Sequence, residues 1–198
     1  MKVGIIVGRF QTHYLHEAHV KLIEYVKKNS DHVIIFLGTT PTRLTFNNPL
    51  NFESRKLMIN ASYRDIEVQP LPDLKYDCEW NKKLDDHIYA LQPNSQITLY
   101  GSRGSFIDMY TGKYKAEFVE EVITEGISAT RIREGVHSYI PESKEWRQGV
   151  IYASEHKYPV SYQAVDIAII NFDKQEILLA KKLNESKFRM VGGFTDSK

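Results

Sequence analysis

The amino-acid sequence predicts an α/β fold built on a doubly wound parallel sheet, followed by a partial β-rich segment. Short apolar runs alternate with amphipathic stretches through residues 1–153, and this alternation is typical of parallel strands joined by right-handed helical crossovers. In residues 161–198 the pattern changes to short strands joined by a polar turn, which is typical of a hairpin. Residues 154–160 lie between the two patterns and predict a linker.

The first two strands are predicted from apolar runs, and the helix between them from its periodicity. Residues 3–7 form an apolar run of the kind found in buried parallel strands. Residues 17–29 carry apolar side chains three and four positions apart, which predicts an amphipathic helix. Residues 33–38 form a second apolar run and predict the second buried strand.

The next elements repeat this order. Residues 52–61 predict a helix, with Phe52, Leu57 and Ile59 available to the core. Residues 66–71 alternate apolar and polar side chains, and the predicted strand ends at Pro70 or Pro72 because proline lacks an amide donor. The last predicted helix and strand of this half of the chain are residues 78–91 and 95–100.

Composition excludes several classes of protein. The net charge of +1 gives no support to a nucleic-acid-binding surface, which usually has a strong basic excess. The single cysteine, Cys78, allows neither an internal disulfide nor a zinc site built from cysteines. No apolar segment approaches the length needed to cross a bilayer, and the N-terminus lacks the pattern of a secretory signal. We therefore expect a cytoplasmic protein that does not bind a membrane.

The turn after the first strand is the most informative segment. Helix N-termini attract phosphate, and side chains three residues apart share a helix face. A histidine pair at this spacing also occurs as surface decoration or as a chance metal pair. The turn carries Gly8, Arg9, Phe10 and Gln11 at its start and His16 and His19 at its end. Gly-Arg-Phe-Gln followed by this pair resembles the nucleotidylyltransferase superfamily, especially nicotinamide mononucleotide adenylyltransferases, although Ala18 stands where that family has glycine. The resemblance assigns all six residues to ATP, with Arg9 and a later arginine on the β- and γ-phosphates.

A second motif lies more than a hundred residues later. Serine and threonine are natural helix caps, and an arginine one turn further can bind pyrophosphate as a fork. A plain capped helix would show the same residues. The segment from Ile127 to Arg133 resembles the Ile-Ser-x-Thr-x-x-Arg signature of the same superfamily. The resemblance assigns ATP phosphates to Ile127, Ser128, Thr130 and Arg133.

Other segments that resemble the family predict the remaining contacts. Asn48 to Arg55 resembles a segment that holds the mononucleotide there, although a helix N-terminal turn with proline fits it equally. Trp80 stands where the family carries a tryptophan near the pyridine ring, and a buried aromatic side chain is the alternative. Gly104 replaces an acidic residue in a loop that borders the nucleotide, so only its neighbours are carried over. The mononucleotide contacts are Thr39, Arg43, Asn48, Arg55 and Trp80, and the additional ATP contacts are Gly101 and Arg103.

The resemblance implies a Rossmann-like domain that transfers AMP from ATP to nicotinamide mononucleotide, giving NAD and pyrophosphate. The nucleophile is a phosphate oxygen that is already ionised, so no general base is needed. His16, His19 and Arg133 are the predicted catalytic residues. Mg²⁺ accompanies ATP, and no residue is assigned as a metal ligand.

Residues 161–198 resemble the N-terminal part of a Nudix domain up to Gly192, Gly193 and Phe194. The carboxylates of the Nudix box, which hold magnesium, are absent from this sequence, so we expect no Nudix hydrolase activity. An incomplete domain leaves apolar edges exposed, which favours a homo-oligomer or pairing with a chain that supplies the rest.

Two other functions fit the same residues. One is a different nucleotidylyltransferase, which uses CTP or acts on an acceptor such as phosphopantetheine. The other is a non-catalytic sensor that binds NAD or ADP-ribose. Phosphate-binding residues are shared by all three, and nucleotide and acceptor tests would separate them.

Overall fold

The computed structural model describes residues 1–40, 45–120, 126–138, 144–155, 164–181, 183 and 186–194. The chain divides into two compact units, Met1–Ile140 and Pro141–Lys198. The sequence instead predicts a boundary between residues 153 and 154, which stays a prediction. No helix in the described part of the chain is long and apolar enough to span a membrane.

The first unit alternates strands and helices as the sequence predicts. Each of the seven predicted elements is present, and no end differs from the prediction by more than one residue. The sequence analysis missed the short elements after residue 105. The elements are β1 (Lys2–Gly8), α1 (Glu17–Asn29), β2 (His32–Thr39), α2 (Phe52–Ser62), β3 (Glu67–Pro72), α3 (Asp77–Leu91), β4 (Gln96–Gly101), the 3-10 helix η1 (Phe106–Met109), β5 (Lys115–Phe118) and α4 (Ala129–Ser138).

The five strands form one parallel sheet in the order β3-β2-β1-β4-β5. The chain builds outward from β1 to β3 and then returns to the other side of β1 with β4. The strand order therefore reverses between β1 and β4, and ligands of such sheets bind at the carboxyl ends of the strands beside that reversal. The predicted α/β, Rossmann-like parallel sheet is confirmed.

Apolar side chains cover both faces of the sheet. On one face, Ile23 and Val26 of α1 and Ile59 of α2 are fully buried against the strands. On the other face, Leu84 and Ile88 of α3 are fully buried. Burial of each such side chain stabilises the fold by about 1.5–3 kcal/mol.

Helix α2 faces the core differently from the prediction. Leu57 is 69% exposed, so its assignment to the core is wrong. Phe52 and Ile59 do face the core as predicted, and Arg55 lies between them at the helical spacing of three and four. An arginine in this face hides the periodicity in the sequence.

The second unit contains α5 (Lys144–Glu155), β6 (Ala164–Ile167), β7 (Ile169–Asn171), β8 (Glu176–Leu178) and β9 (Val191–Phe194). β7 and β8 pair antiparallel, as expected of the hairpin that the sequence predicts. β9, which carries Gly192 and Gly193, pairs antiparallel with β6. The β-rich segment therefore forms two small antiparallel sheets.

Candidate nucleotide-binding site

A cavity of about 1130 Å³ opens at the carboxyl ends of β1 and β4. Its walls belong to the first unit, and they include the N-termini of α1 and α4. Most predicted site residues line it, namely Gly8, Arg9, Phe10, Gln11, His16, His19, Asn48, Trp80, Gly101, Arg103, Ile127, Ser128, Thr130 and Arg133. The two motifs are thus brought together at the strand-order reversal.

The two histidines stand at the first turn of α1. His16 is the N-cap residue, and its Nδ1 accepts a hydrogen bond from the backbone N–H of His19 at 3.4 Å. An imidazole that accepts through Nδ1 carries its proton on Nε2, so His16 presents an Nε2–H donor. The rings of His16 and His19 stack with centroids 3.6 Å apart.

Burial keeps both imidazoles neutral. Desolvation, together with the neighbouring His16, lowers the pKa of His19 to about 3. Burial also lowers the pKa of His16, which is 7% exposed. Among the described residues, Nδ1 of His19 is buried and has no hydrogen-bond partner. The pair therefore offers neutral hydrogen-bonding groups, and positive charge at this end of the cavity comes from elsewhere.

Phe10 holds the other face of His19. Its ring stacks on the His19 imidazole at a centroid distance of 4.3 Å, and the side chain is buried. The backbone of Phe10 is left-handed, with φ of 49°, which is uncommon for a residue with a bulky side chain. Gly8 makes room for this ring, because a Cβ at Gly8 would lie 2.8 Å from Cε2 of Phe10.

The N-terminus of α4 carries the second motif. The Ser128 hydroxyl accepts from the backbone N–H of Arg131 at 3.2 Å, so Ser128 caps the helix. Arg133 donates to the backbone oxygen of Gln11 at 3.3 Å and to Oγ1 of Thr130 at 3.2 Å. Within the described residues, its Nε is buried without a partner. Arg133 therefore joins the α4 motif to the turn after β1.

The side chain of Gln11 anchors the segment that follows β2. Its amide nitrogen donates to the backbone oxygen of Leu50, and its amide oxygen accepts from the backbone N–H of Leu50, at 3.0 and 2.8 Å. This double hydrogen bond keeps Asn48 at the cavity wall. Gln11 is 3% exposed, so it acts mainly through this backbone contact.

Arg9 has a carboxylate partner in this structure. Its Nη2 donates to both oxygens of Asp73, at 3.1 and 3.0 Å, and its Nη1 donates to Oδ1 of Asn48 at 3.1 Å. These contacts direct the guanidinium toward Asn48 and the predicted mononucleotide side of the cavity, whereas the sequence prediction places Arg9 on the β- and γ-phosphates of ATP. The sequence analysis gave no role to Asp73. The sequence feature that could have indicated Asp73 is a carboxylate directly after β3, at the same edge of the sheet.

Two of the predicted mononucleotide contacts that the structure describes, Thr39 and Arg55, do not line the cavity. Arg55 is 2% exposed, and its guanidinium donates to the backbone oxygens of Arg9 and Gly38. It therefore lies buried beneath the strand ends and does not have the predicted direct contact with the cavity. Thr39 uses its backbone oxygen to accept from the N–H of Asp73. Arg43 lies outside the described residues.

The remaining walls carry aromatic and loop residues. The Trp80 ring lies 5.8 Å from the Phe106 ring in a tilted arrangement. Gly104 has φ of 70°, a conformation that favours glycine over the acidic residue of the family pattern. Asp77 and Phe46 are two further residues at this site that the sequence does not predict. Asp77 lines the cavity, and the Phe46 ring lies 5.7 Å from Cζ of Arg133.

Comparisons with known proteins agree with this architecture. A nicotinamide-nucleotide adenylyltransferase of Thermococcus kodakarensis is 27% identical over 141 residues, which cover 67% of this chain and 71% of that protein. The corresponding enzyme of Pyrococcus furiosus is 32% identical over 110 residues, which cover 52% of this chain and 55% of that protein. The chain thus spans between about half and three quarters of these relatives.

A solved structure extends the similarity of fold to the second unit. It is a bifunctional NMN adenylyltransferase/ADP ribose pyrophosphatase from Francisella tularensis, complexed with AMP and a Mn ion. The match has a TM-score of 0.62 at 19% identity, and it covers 99% of this chain and 68% of that chain. At this identity the match shows the fold alone.

The family model described as cytidylyltransferase-like matches residues 5–135. This range runs from β1 to the helix that carries Arg133, so it includes both halves of the cavity and more than half of the chain. The chain belongs to the cytidylyltransferase-like family.

Proposed function

We propose that this protein is a nicotinamide mononucleotide adenylyltransferase, which transfers AMP from ATP to nicotinamide mononucleotide and releases pyrophosphate. One observation carries the proposal. His16, His19 and Arg133, which are far apart in the chain, line one cavity with two helix N-termini. The curated adenylyltransferase relatives support the same activity.

The reaction needs alignment and charge neutralisation. A phosphate oxygen of nicotinamide mononucleotide, already ionised, attacks the α-phosphorus of ATP. The new phosphorus–oxygen bond forms as the bond to the β-phosphate breaks, and pyrophosphate leaves with the electron pair. The nucleophile carries no proton at neutral pH, so the protein acts by positioning the reactants and stabilising charge.

We assign the triphosphate to the end of the cavity where α1 and α4 begin. Free N–H groups at helix N-termini favour anions, and two such termini reinforce each other. His16 contributes its Nε2–H donor, and His19 lies nearest the attacked α-phosphate. Ser128 and Thr130 donate hydrogen bonds, and Arg133 binds the leaving pyrophosphate as a fork.

We assign the mononucleotide to the end lined by Asn48, Asp73 and Trp80. The Trp80 indole can stack on the pyridinium ring, and a cationic ring gains from the negative face of an aromatic system. Both oxygens of Asp73 are used by Arg9, so this carboxylate fits a magnesium ligand poorly. We therefore expect Mg²⁺ to enter as MgATP, held by phosphate oxygens and water.

The experiment is a substrate matrix with the purified full chain. MgATP and CTP are each incubated with nicotinamide mononucleotide, nicotinic acid mononucleotide and phosphopantetheine, and products are separated by chromatography. We expect NAD and pyrophosphate from MgATP with nicotinamide mononucleotide. Turnover only with CTP or phosphopantetheine would assign another transferase, and NAD binding without any turnover would assign a sensor.

A further inference from the structure

The structure assigns to Arg55 the role of a positioning residue, which holds the ends of β1 and β2 so that Phe10 can fix the ring of His19. This inference rests on the proposed function only for its effect on the reaction rate. Its structural part concerns hydrogen bonds and ring contacts that are measured in the absence of substrate.

The first step is the set of acceptors that surround Arg55. Nη1 donates to the backbone oxygen of Arg9 at 2.7 Å and to that of Gly38 at 2.9 Å. Nε donates to the backbone oxygen of Asn51 at 3.1 Å. One planar guanidinium thus connects the ends of two neighbouring strands to the first turn of α2. No other side chain type offers this number of donors in a fixed plane.

The second step is the link from Arg55 to Phe10. The Arg9 carbonyl belongs to the same peptide plane as the nitrogen of Phe10. A hydrogen bond to this oxygen therefore fixes the plane from which the φ angle of Phe10 is measured. That angle is 49°, and such a conformation persists only where surrounding contacts impose it. Arg55 provides one such contact from inside the protein.

The third step is the stack of three rings. Phe10 contacts His19 at a centroid distance of 4.3 Å, and His19 contacts His16 at 3.6 Å. The His19 ring lies between the other two and has little freedom to rotate. If Phe10 returned to an ordinary backbone conformation, its ring would leave this stack. His19 would then lose one face of its enclosure and become hydrated.

The main test compares Arg55→Met with the wild-type chain. The His19 imidazole is followed by NMR as pH is varied, with no nucleotide present. In the wild-type chain burial lowers the pKa of His19 to about 3, and in the variant we expect it to move toward about 6.5. We also expect kcat for NAD formation to fall about 10- to 100-fold, with KM for MgATP changed much less, because Arg55 does not touch the cavity.

Two further variants keep the test decisive if Arg55→Met fails to fold. Arg55→Lys keeps the positive charge but has one ammonium group, which cannot serve all three acceptors, so we expect the same changes at smaller size. Phe10→Leu removes the ring that stacks on His19 but leaves Arg55 intact. We expect this variant to raise the pKa of His19 as Arg55→Met does. In the double variant the two losses of kcat should not multiply.

Ile59→Val is the matched control. It alters a fully buried side chain of the same helix, and we expect lower stability with an unchanged His19 titration. A wild-type titration and wild-type kcat in folded Arg55→Met would overturn the inference. An altered His19 titration in a chain whose wild type forms no NAD would refute the proposed function and leave the positioning role standing.

Discussion

His19 is a neutral residue in the site that we propose binds a polyanion. Its imidazole is enclosed by Phe10 and His16, and desolvation lowers its pKa to about 3. In the proposed reaction it therefore contributes a directed hydrogen bond, and net positive charge comes from Arg133 and the helix N-termini. Two predictions follow from this, one for activity and one for stability.

For activity, we expect His19→Ala to lower the rate of NAD formation by about 10²–10³-fold, the usual cost of losing one aligned donor at a site of developing charge. Circular dichroism should show an intact fold. His13→Ala is the control, since His13 is exposed and outside the cavity. A His19→Ala variant that works at the wild-type rate would remove His19 from the site.

For stability, the lowered pKa of His19 sets a pH window. Between about pH 3 and 6.5 the unfolded chain binds more protons at this residue than the folded chain, so stability falls as pH decreases. We expect wild type to lose about 2 kcal/mol more unfolding free energy than His19→Gln between pH 7 and 4.5. Urea titrations at the two pH values measure this, and equal losses would show that His19 is not buried in neutral form.

At the scale of elements, α4 presents its N-terminus to the cavity, and Ser128 both caps the helix and lines the cavity. Two substitutions separate these roles. Ser128→Ala removes the cap, and we expect a loss of about 1 kcal/mol. Ser128→Asp keeps a capping oxygen, and we expect nearly wild-type stability.

We expect MgATP binding to rank the two Ser128 variants in the opposite order. The new carboxylate of Ser128→Asp repels phosphate, so we expect KM for MgATP to rise more in this variant than in Ser128→Ala. Steady-state kinetics beside thermal unfolding makes the comparison. If Ser128→Asp bound MgATP as well as wild type, the start of α4 would not face the phosphates.

The sequence predicted the elements of the first unit well because each strand and helix has a distinct pattern of apolar side chains. Apolar runs at 3–7 and 33–38 belong to β1 and β2, and the spacing in 17–29 belongs to α1. The short β5 was missed, since four residues of mixed polarity carry no period. Leu57 was placed wrongly because a buried arginine occupies the position that marks the inward face.

The site was predictable where a motif meets a strand end. The turn after β1 and the start of α4 line one cavity as expected. Side-chain partners were not predictable, because a hydrogen bond such as that between Arg9 and Asp73 depends on distances between separate strands. The partners of Arg55 were not predictable for the same reason. Its position in a motif predicts a role at the site, and only the structure shows that its guanidinium donates to backbone oxygens.

At the scale of the whole molecule, the proposed assignment divides the cavity by charge. The N-termini of α1 and α4 and Arg133 line the part assigned to the triphosphate, whereas the Arg9–Asp73 ion pair and Asp77 line the part assigned, with Trp80, to the mononucleotide. This polarity matches a molecule with phosphates on one side and a cationic ring on the other. We therefore expect the arrangement of the sheet and its helices to set the orientation of the mononucleotide.

This polarity predicts the effect of Asp77→Asn. Loss of the exposed carboxylate should raise KM for nicotinamide mononucleotide about two- to fivefold, as expected for an interaction of up to about 1 kcal/mol, and leave KM for MgATP unchanged. Asp86→Asn is the control, as this exposed carboxylate lies outside the cavity. An equal effect of both variants would show that Asp77 does not face the pyridinium ring.

The ion pair between Arg9 and Asp73 should weaken the binding of small anions to the cavity. An arriving anion has to compete with a bidentate carboxylate for the guanidinium. Inorganic phosphate has no ring to place on Trp80, so it gains little from this exchange. We expect a mononucleotide to replace the same contact and to form several others. Arg9 should therefore bind ligands that have a second point of attachment, and we expect free phosphate to be a weak inhibitor.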